Sequence, residues 1–317
     1  MDFFGYLWNH WIFVAFLAPF FWSLVNIIDI YFVSGVYEDE WDGVLINSLF
    51  QLLPWLLPLC GFVVFVLPDT LAVSIAFLAG GCLVLSIYFY FKTLFISNDM
   101  VILQALWNLS VPLVPFLAWL LIGEHLSLIH YVGIGTAFIG VMIFSLHEKI
   151  KEKSLGKVFL TMTGAIFFFS LSMVLQTEVY QRVGGDFWTG FLLFSTGAAV
   201  VGFLLLLFDP MPIKKRAEHV FRMSKKYLVV FVIAEMLNLL GVLTSQRALD
   251  LSPAVSFVAV IGSLAPVFVM FLSLVLVLVF FKMNKKKSQQ IYQDQLVAFK
   301  TKIVACVMIA LGIYLIS

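Results

Sequence analysis

Glu235 offers the most chemistry in this chain. It sits in the apolar run YLVVFVIAEMLNLLGVL, nine residues after Lys226 and twelve before Arg247. That spacing puts it near the middle of a segment long enough to cross a bilayer. A carboxylate at that depth costs about 2.5–3.5 kcal/mol on insertion scales, so it tends to face a cavity or a partner. A carboxyl group that faces a cavity can carry a proton, which suits ion-coupled movement of a solute. Asn238 at i+3 shares its helical face, and Gln246, eleven residues on, returns to the same stripe. The alternative is a protonated Glu235 hydrogen-bonded between helices as structural glue.

Other polar groups recur at helical spacing within apolar runs. Gln104, Trp107 and Asn108 stand at i, i+3 and i+4, and Pro112 and Pro115 follow them. Pro266 answers Pro112 in the second half. Prolines free backbone carbonyls and bend helices, so Pro112 and Pro266 are expected to break their helices, either lining a site or merely kinking the packing. Trp22, Asn26 and Asp29 form a face on the first span, and Ser172, Gln176 and Tyr180 form a similar stripe on the sixth, with Glu178 nearby. Asp29 and Glu178 lie close to the ends of their apolar runs and are expected as gate or rim residues; Glu178 can also pair with Arg182 at i+4. Lys92 and Arg247 hold matched positions in the two halves and are expected near opposite membrane faces. There they would attract or gate a solute, or simply snorkel to the headgroups.

The elements that must position these groups repeat. FFWSL (Phe20 to Leu24) returns as FFFSL (Phe167 to Leu171), Lys92-Thr93-Leu94 as Arg247-Ala248-Leu249, and IGVMIFS (Ile139 to Ser145) as LGIYLIS (Leu311 to Ser317). With 62% hydrophobic and 12% charged residues, the chain cannot be a soluble domain. Apolar runs at roughly 10–33, 44–67, 70–95, 100–121, 126–146, 157–181, 186–208, 227–248, 253–281 and 300–316 predict an all-α polytopic membrane protein of ten transmembrane helices. The units are 1–147 and 157–317, joined by a basic linker, 148–156. Five crossings per unit, an odd number, make the repeats inverted.

Charge sets the orientation. Of 19 Lys and Arg, 16 lie in the segments 147–157, 209–226 and 282–302, all of which follow odd-numbered spans. The positive-inside rule places these loops in the cytoplasm, together with the acidic loop 36–43, in a bacterial or archaeal cytoplasmic membrane. Residues 1–9 contain no Lys or Arg, so no cleavable signal peptide is expected. Cys60, Cys82 and Cys306 fall within apolar runs and are expected to be inert.

The two five-span units, the Gly123-Glu124 pair closing the fourth span and the Gly-rich fifth span GIGTAFIGVMIF resemble the EamA-type transporters of the drug/metabolite transporter superfamily. The resemblance covers nearly the whole chain. It implies a ten-helix inverted-repeat fold whose central cavity is lined by the first, third and fourth helices of each half. It also implies movement of small organic solutes without ATP hydrolysis. The second half lacks the Gly-Glu pair: Leu276 to Phe281 runs directly into a basic loop.

An enzyme is not expected. There is no HExxH, no GxSxG and no paired intramembrane aspartates, and His125, His130 and His147 have no second ligand at helical spacing. The leading expectation is a secondary transporter working by alternating access, with protonation as a candidate driving step. A transporter or flippase of a lipid-linked or nucleotide-activated sugar and a non-transporting membrane scaffold are the alternatives. Expected partners are a small-molecule substrate and membrane lipid, with no nucleic acid, no cofactor and no metal, in a monomer or homodimer.

Overall fold

In a computed structural model of the protein, residues 3–97, 100–145, 155–280 and 299–317 are described. All regular structure among them is helical. The elements are α1 (Phe3–Trp8), α2 (Trp11–Gly35), α3 (Glu40–Phe50), α4 (Leu56–Leu59), α5 (Thr70–Ile96), α6 (Met100–Trp107), α7 (Ser110–Ile122), α8 (Leu128–Ser145), α9 (Leu155–Arg182), α10 (Phe187–Leu205), α11 (Ile213–Leu251), α12 (Val255–Gly262), α13 (Ala265–Phe280) and α14 (Phe299–Ile316). Nine stretches among the described residues are long and apolar enough to cross a membrane, and Thr301–Ile316 is a shorter apolar helix. The protein is therefore a multi-pass, all-helical integral membrane protein. Most of the linker 148–156 and of the basic loops 147–157 and 282–302 lies outside the described residues; Leu155 and Gly156 already belong to α9.

Helix starts follow from capping. Asp69 accepts from the amides of Leu71 and Ala72 at the head of α5, Asp186 from Thr189 in α10, and Asp39 from Trp41 in α3. Each carboxylate satisfies amides that have no helical partner and meets the positive end of the helix dipole.

Close packing uses small residues, as it must where lipid gives no hydrophobic drive between helices. A Cβ on Gly197 of α10 would lie 2.5 Å from the Cα of Phe77 in α5, so these backbones touch. Gly312 of α14 and Gly133 of α8 meet in the same way, with the carbonyl oxygen of Gly133 2.6 Å from where a Cβ on Gly312 would be. The main pairings are α2 with α11, α5 with α9 and α10, and α8 with α14.

Four of the expected spans take a different form. The second is not one helix over 44–67: it starts at Glu40, is interrupted by a short 3₁₀ turn at Leu53–Trp55 and ends at Leu59. Pro54 and Pro58 lack the amides a continuous helix needs. The fourth breaks at Asn108-Leu109 and the ninth at Ser263-Leu264. Pro112 and Pro266 occupy the first turn of the helix that restarts, where a missing amide is tolerated. The eighth begins well before 227: the segment expected as the basic loop 209–226 is helical from Ile213, with a kink at Tyr227.

Candidate functional site

A cavity lies between elements from both ends of the chain. Trp22, Asn26 and Asp29 of α2 line it with Asn47 of α3, Ser86 and Tyr90 of α5, Trp107 at the end of α6, Phe169 of α9, and Glu235 and Asn238 of α11. Gly262 and Ala265, flanking the break between α12 and α13, complete that wall. About 950 Å³ of it is unfilled, part of it open to the outside. Aromatic and aliphatic side chains around a few polar groups are the lining typical of small-molecule sites.

Its polar groups include two carboxyl groups and three side-chain amides. Asp29 and Glu235 are each 8% exposed, and both line the cavity. Asn238 Nδ2 donates to Glu235 Oε2 at 3.4 Å, and the Tyr90 hydroxyl donates to Asn26 Oδ1 at 3.1 Å. The Asn47 Oδ1 atom is buried with no hydrogen-bond partner among the described residues. Aromatic rings close one side: Trp107 packs on Phe169 at 4.9 Å and Trp22 on Phe169 at 6.0 Å between ring centroids. Beyond these three rings a smaller void reaches Ala15, Ser110 and Ser245.

The expected face Trp22, Asn26 and Asp29 thus meets the expected pair Glu235 and Asn238. Asp29, expected as a gate or rim residue, lines the cavity, and α2 continues six residues past it to Gly35, about 9 Å at the helical rise per residue. Trp107 joins the cavity but Asn108 does not: its Nδ2 donates to Ser145 Oγ on α8 at 3.1 Å. The helix ends at Trp107, so the i, i+4 relation that placed Asn108 on the same face no longer applies. The side chain of Gln104 lies outside the described residues.

Gln246 shares the stripe of Glu235, but eleven residues carry it about 16 Å along the helix, beyond the cavity. There it accepts from the Tyr180 hydroxyl at 3.1 Å. Gln176 donates to the Gly190 carbonyl of α10 at 3.2 Å, and Ser172 of the same stripe donates to the Ala79 carbonyl of α5. Glu178 pairs with Arg182 at 2.7 Å. Lys92 donates to the Tyr88 hydroxyl at 3.2 Å, while Arg247 pairs with Asp250 at 2.5 Å and donates to Asn9. Neither Lys92 nor Arg247 lines the cavity.

Two features were not expected from sequence. Glu124, of the Gly123-Glu124 pair, reaches across to the head of α12, where its carboxylate accepts from the Val255 amide at 2.8 Å and from the Ser256 hydroxyl. The second is an ion network at the membrane end where α2 finishes. Arg216 is buried and donates to Asp42 at 2.8 Å, to Asp39 at 2.8 Å and to Asp209 at 2.7 Å. Burial opposes its charge, but the bonds to Asp209, Asp39 and Asp42 prevail and hold its pKa above the ordinary arginine value. The network ties the acidic loop 36–43 to the start of α11. Tyr37 stands within electrostatic reach of Asp29 and Glu235 as well as Asp42, and with Phe231 and Phe32 it forms an aromatic layer between cavity and network.

No family model and no curated relative matches the chain. Solved structures do match: a crystal structure of a protein at 15% identity superposes with a TM-score of 0.62, over 96% of this chain and 95% of its own. A likeness at that identity is a likeness of fold.

Proposed function

We propose that this chain is a secondary transporter that carries a small organic solute through the cavity by alternating access. The observation that carries the reading is the meeting of Asp29 and Glu235, from opposite halves of the chain, in one cavity at membrane depth. Buried ionisable groups in a membrane mark substrate or ion pathways, because their cost is not otherwise repaid. Discontinuous helices beside the cavity are a further mark of transporters, and the α12–α13 break borders this one.

The architecture proposed with it is a pair of inverted five-helix repeats. Such an axis exchanges the first span with the sixth, the third with the eighth and the fourth with the ninth. The α2–α11 pairing then becomes the α9–α5 pairing, α8–α14 maps onto itself, and the two helix breaks exchange. Both exchanged pairings are among the main contacts of the molecule, which supports the relation. The resemblance to EamA-type transporters agrees with it. In this reading Glu235 carries the coupling proton, and the Arg216 network with its aromatic layer is the closed gate at one end.

A thermal-shift screen of purified protein against soluble metabolites tests the proposal. A ligand of the folded state at a hundred times its dissociation constant stabilises by about 2.7 kcal/mol. Soluble amino acids, amines or sugars should give shifts, and those compounds should enter proteoliposomes down their gradients. Shifts from polyprenyl-linked compounds alone, with no soluble ligand, would contradict it.

A further inference from the structure

We infer that the solute is an organic cation, an ammonium group on an aromatic-sized body. The inference takes its cargo from the transporter reading, but its charge from separate observations. Asp29 and Glu235 present two carboxyl groups to one cavity, and no Lys, Arg or His lines it or pairs with either among the described residues. A lone basic partner would neutralise the site; here the cavity keeps its acidic character for whatever enters.

The acceptor atoms point the same way. Asn47 is 2% exposed, lines the cavity, and its Oδ1 has no donor among the described residues. A buried acceptor left unmade costs about 1–3 kcal/mol, which an N–H of an entering ammonium would recover. Two of the donors that line the cavity already serve its own acceptors: Asn238 Nδ2 donates to Glu235, and the Tyr90 hydroxyl donates to Asn26.

The walls select an organic cation over an inorganic one. Trp22, Trp107 and Tyr90 line the cavity with ring surface, which attracts a weakly hydrated cation through its negative face. Among the described residues no group of His, Cys, Asp and Glu is arranged to hold a metal ion.

Calorimetric titration of the full chain in detergent, at mildly alkaline pH, tests this with three probes of similar size: phenethylammonium, phenyltrimethylammonium and 3-phenylpropanoate. Both cations should bind saturably, and the anion should bind at least about tenfold more weakly. Asp29→Asn should weaken phenethylammonium by about tenfold or more, the loss expected for one charge-assisted hydrogen bond. Asn47→Ala should erase any preference for phenethylammonium, which has N–H donors, over phenyltrimethylammonium, which has none. Equal or tighter binding of 3-phenylpropanoate, or no saturable binding of either cation, would overturn the inference, and this comparison in the unmodified protein decides even if a variant fails to fold. Flux into proteoliposomes separates the two readings. Phenyltrimethylammonium bound but not moved would leave the cation site standing and remove the transporter. Movement of 3-phenylpropanoate without phenyltrimethylammonium would do the reverse.

Discussion

At Glu235 the only bonded compensation among the described residues is a 3.4 Å contact from Asn238, weak support for a carboxyl group with 8% of its surface exposed. A glutamine there keeps the shape and removes the proton. Glu235→Gln should therefore fold and bind solute, though less tightly, while its uptake becomes independent of an imposed pH gradient. Uptake at gradients clamped with ionophores measures this, and unchanged pH dependence would remove Glu235 from coupling. Arg216 makes the opposite case, a charge held by three carboxylates. Arg216→Met would remove the buried cation that Asp42 and Asp209 share, leaving Asp42 with the Glu38 amide and nearby His219, and Asp209 with the Met211 amide, at a cost of about 3–5 kcal/mol. A clear fall in the thermal midpoint is expected, and an unchanged one would show the network to be energetically idle. Because the folded pKa of Arg216 is raised, its contribution is fully present at every pH below the unfolded value. Alkaline conditions short of that value should leave it intact.

At the scale of elements, backbone contact between α5 and α10 makes a sharp prediction. Gly197→Val should block assembly, since even a Cβ would meet the Phe77 backbone at 2.5 Å, whereas Gly135→Ala, with nothing within 4 Å, should be tolerated. Expression and gel-filtration profiles of the two variants check this, and a well-behaved Gly197→Val would refute the packing. The Ser23 hydroxyl donates to the Ala265 carbonyl at 3.0 Å, where α13 restarts after the break. Ser23→Ala should lower stability by about 0.6 kcal/mol, the mean for such bonds between membrane helices. Here the sequence was legible in part. Pro112 and Pro266 announce that two helices break, but the break falls before each proline, because proline is welcome in a first turn. That displacement is why Trp107 reaches the cavity and Asn108 turns to Ser145. The second span was misjudged for the same reason: an apolar run with prolines reads like a helix when only hydropathy is counted.

For the whole molecule, membrane character follows from composition, because lipid favours apolar runs whose backbone bonds are satisfied within a helix. The face Trp22, Asn26 and Asp29 was legible because α2 is unbroken. Asn47 was not, since a lone amide in an apolar run looks like any packing residue. Nor was the ion network, whose partners Arg216 and Asp42 stand 174 residues apart and carry no local signal. The two halves build an acidic cavity between helices and a salt-bridged network beside it, and in the proposed mechanism solute and proton use that cavity in turn. Proteoliposomes containing a pH-sensitive dye and given an inward gradient of phenyltrimethylammonium, which cannot cross as a neutral base, test it most directly. The account predicts cation entry coupled to proton exit in the unmodified protein, and no proton exit in Glu235→Gln. Absence of cation entry, or the same proton movement in Glu235→Gln, would contradict it.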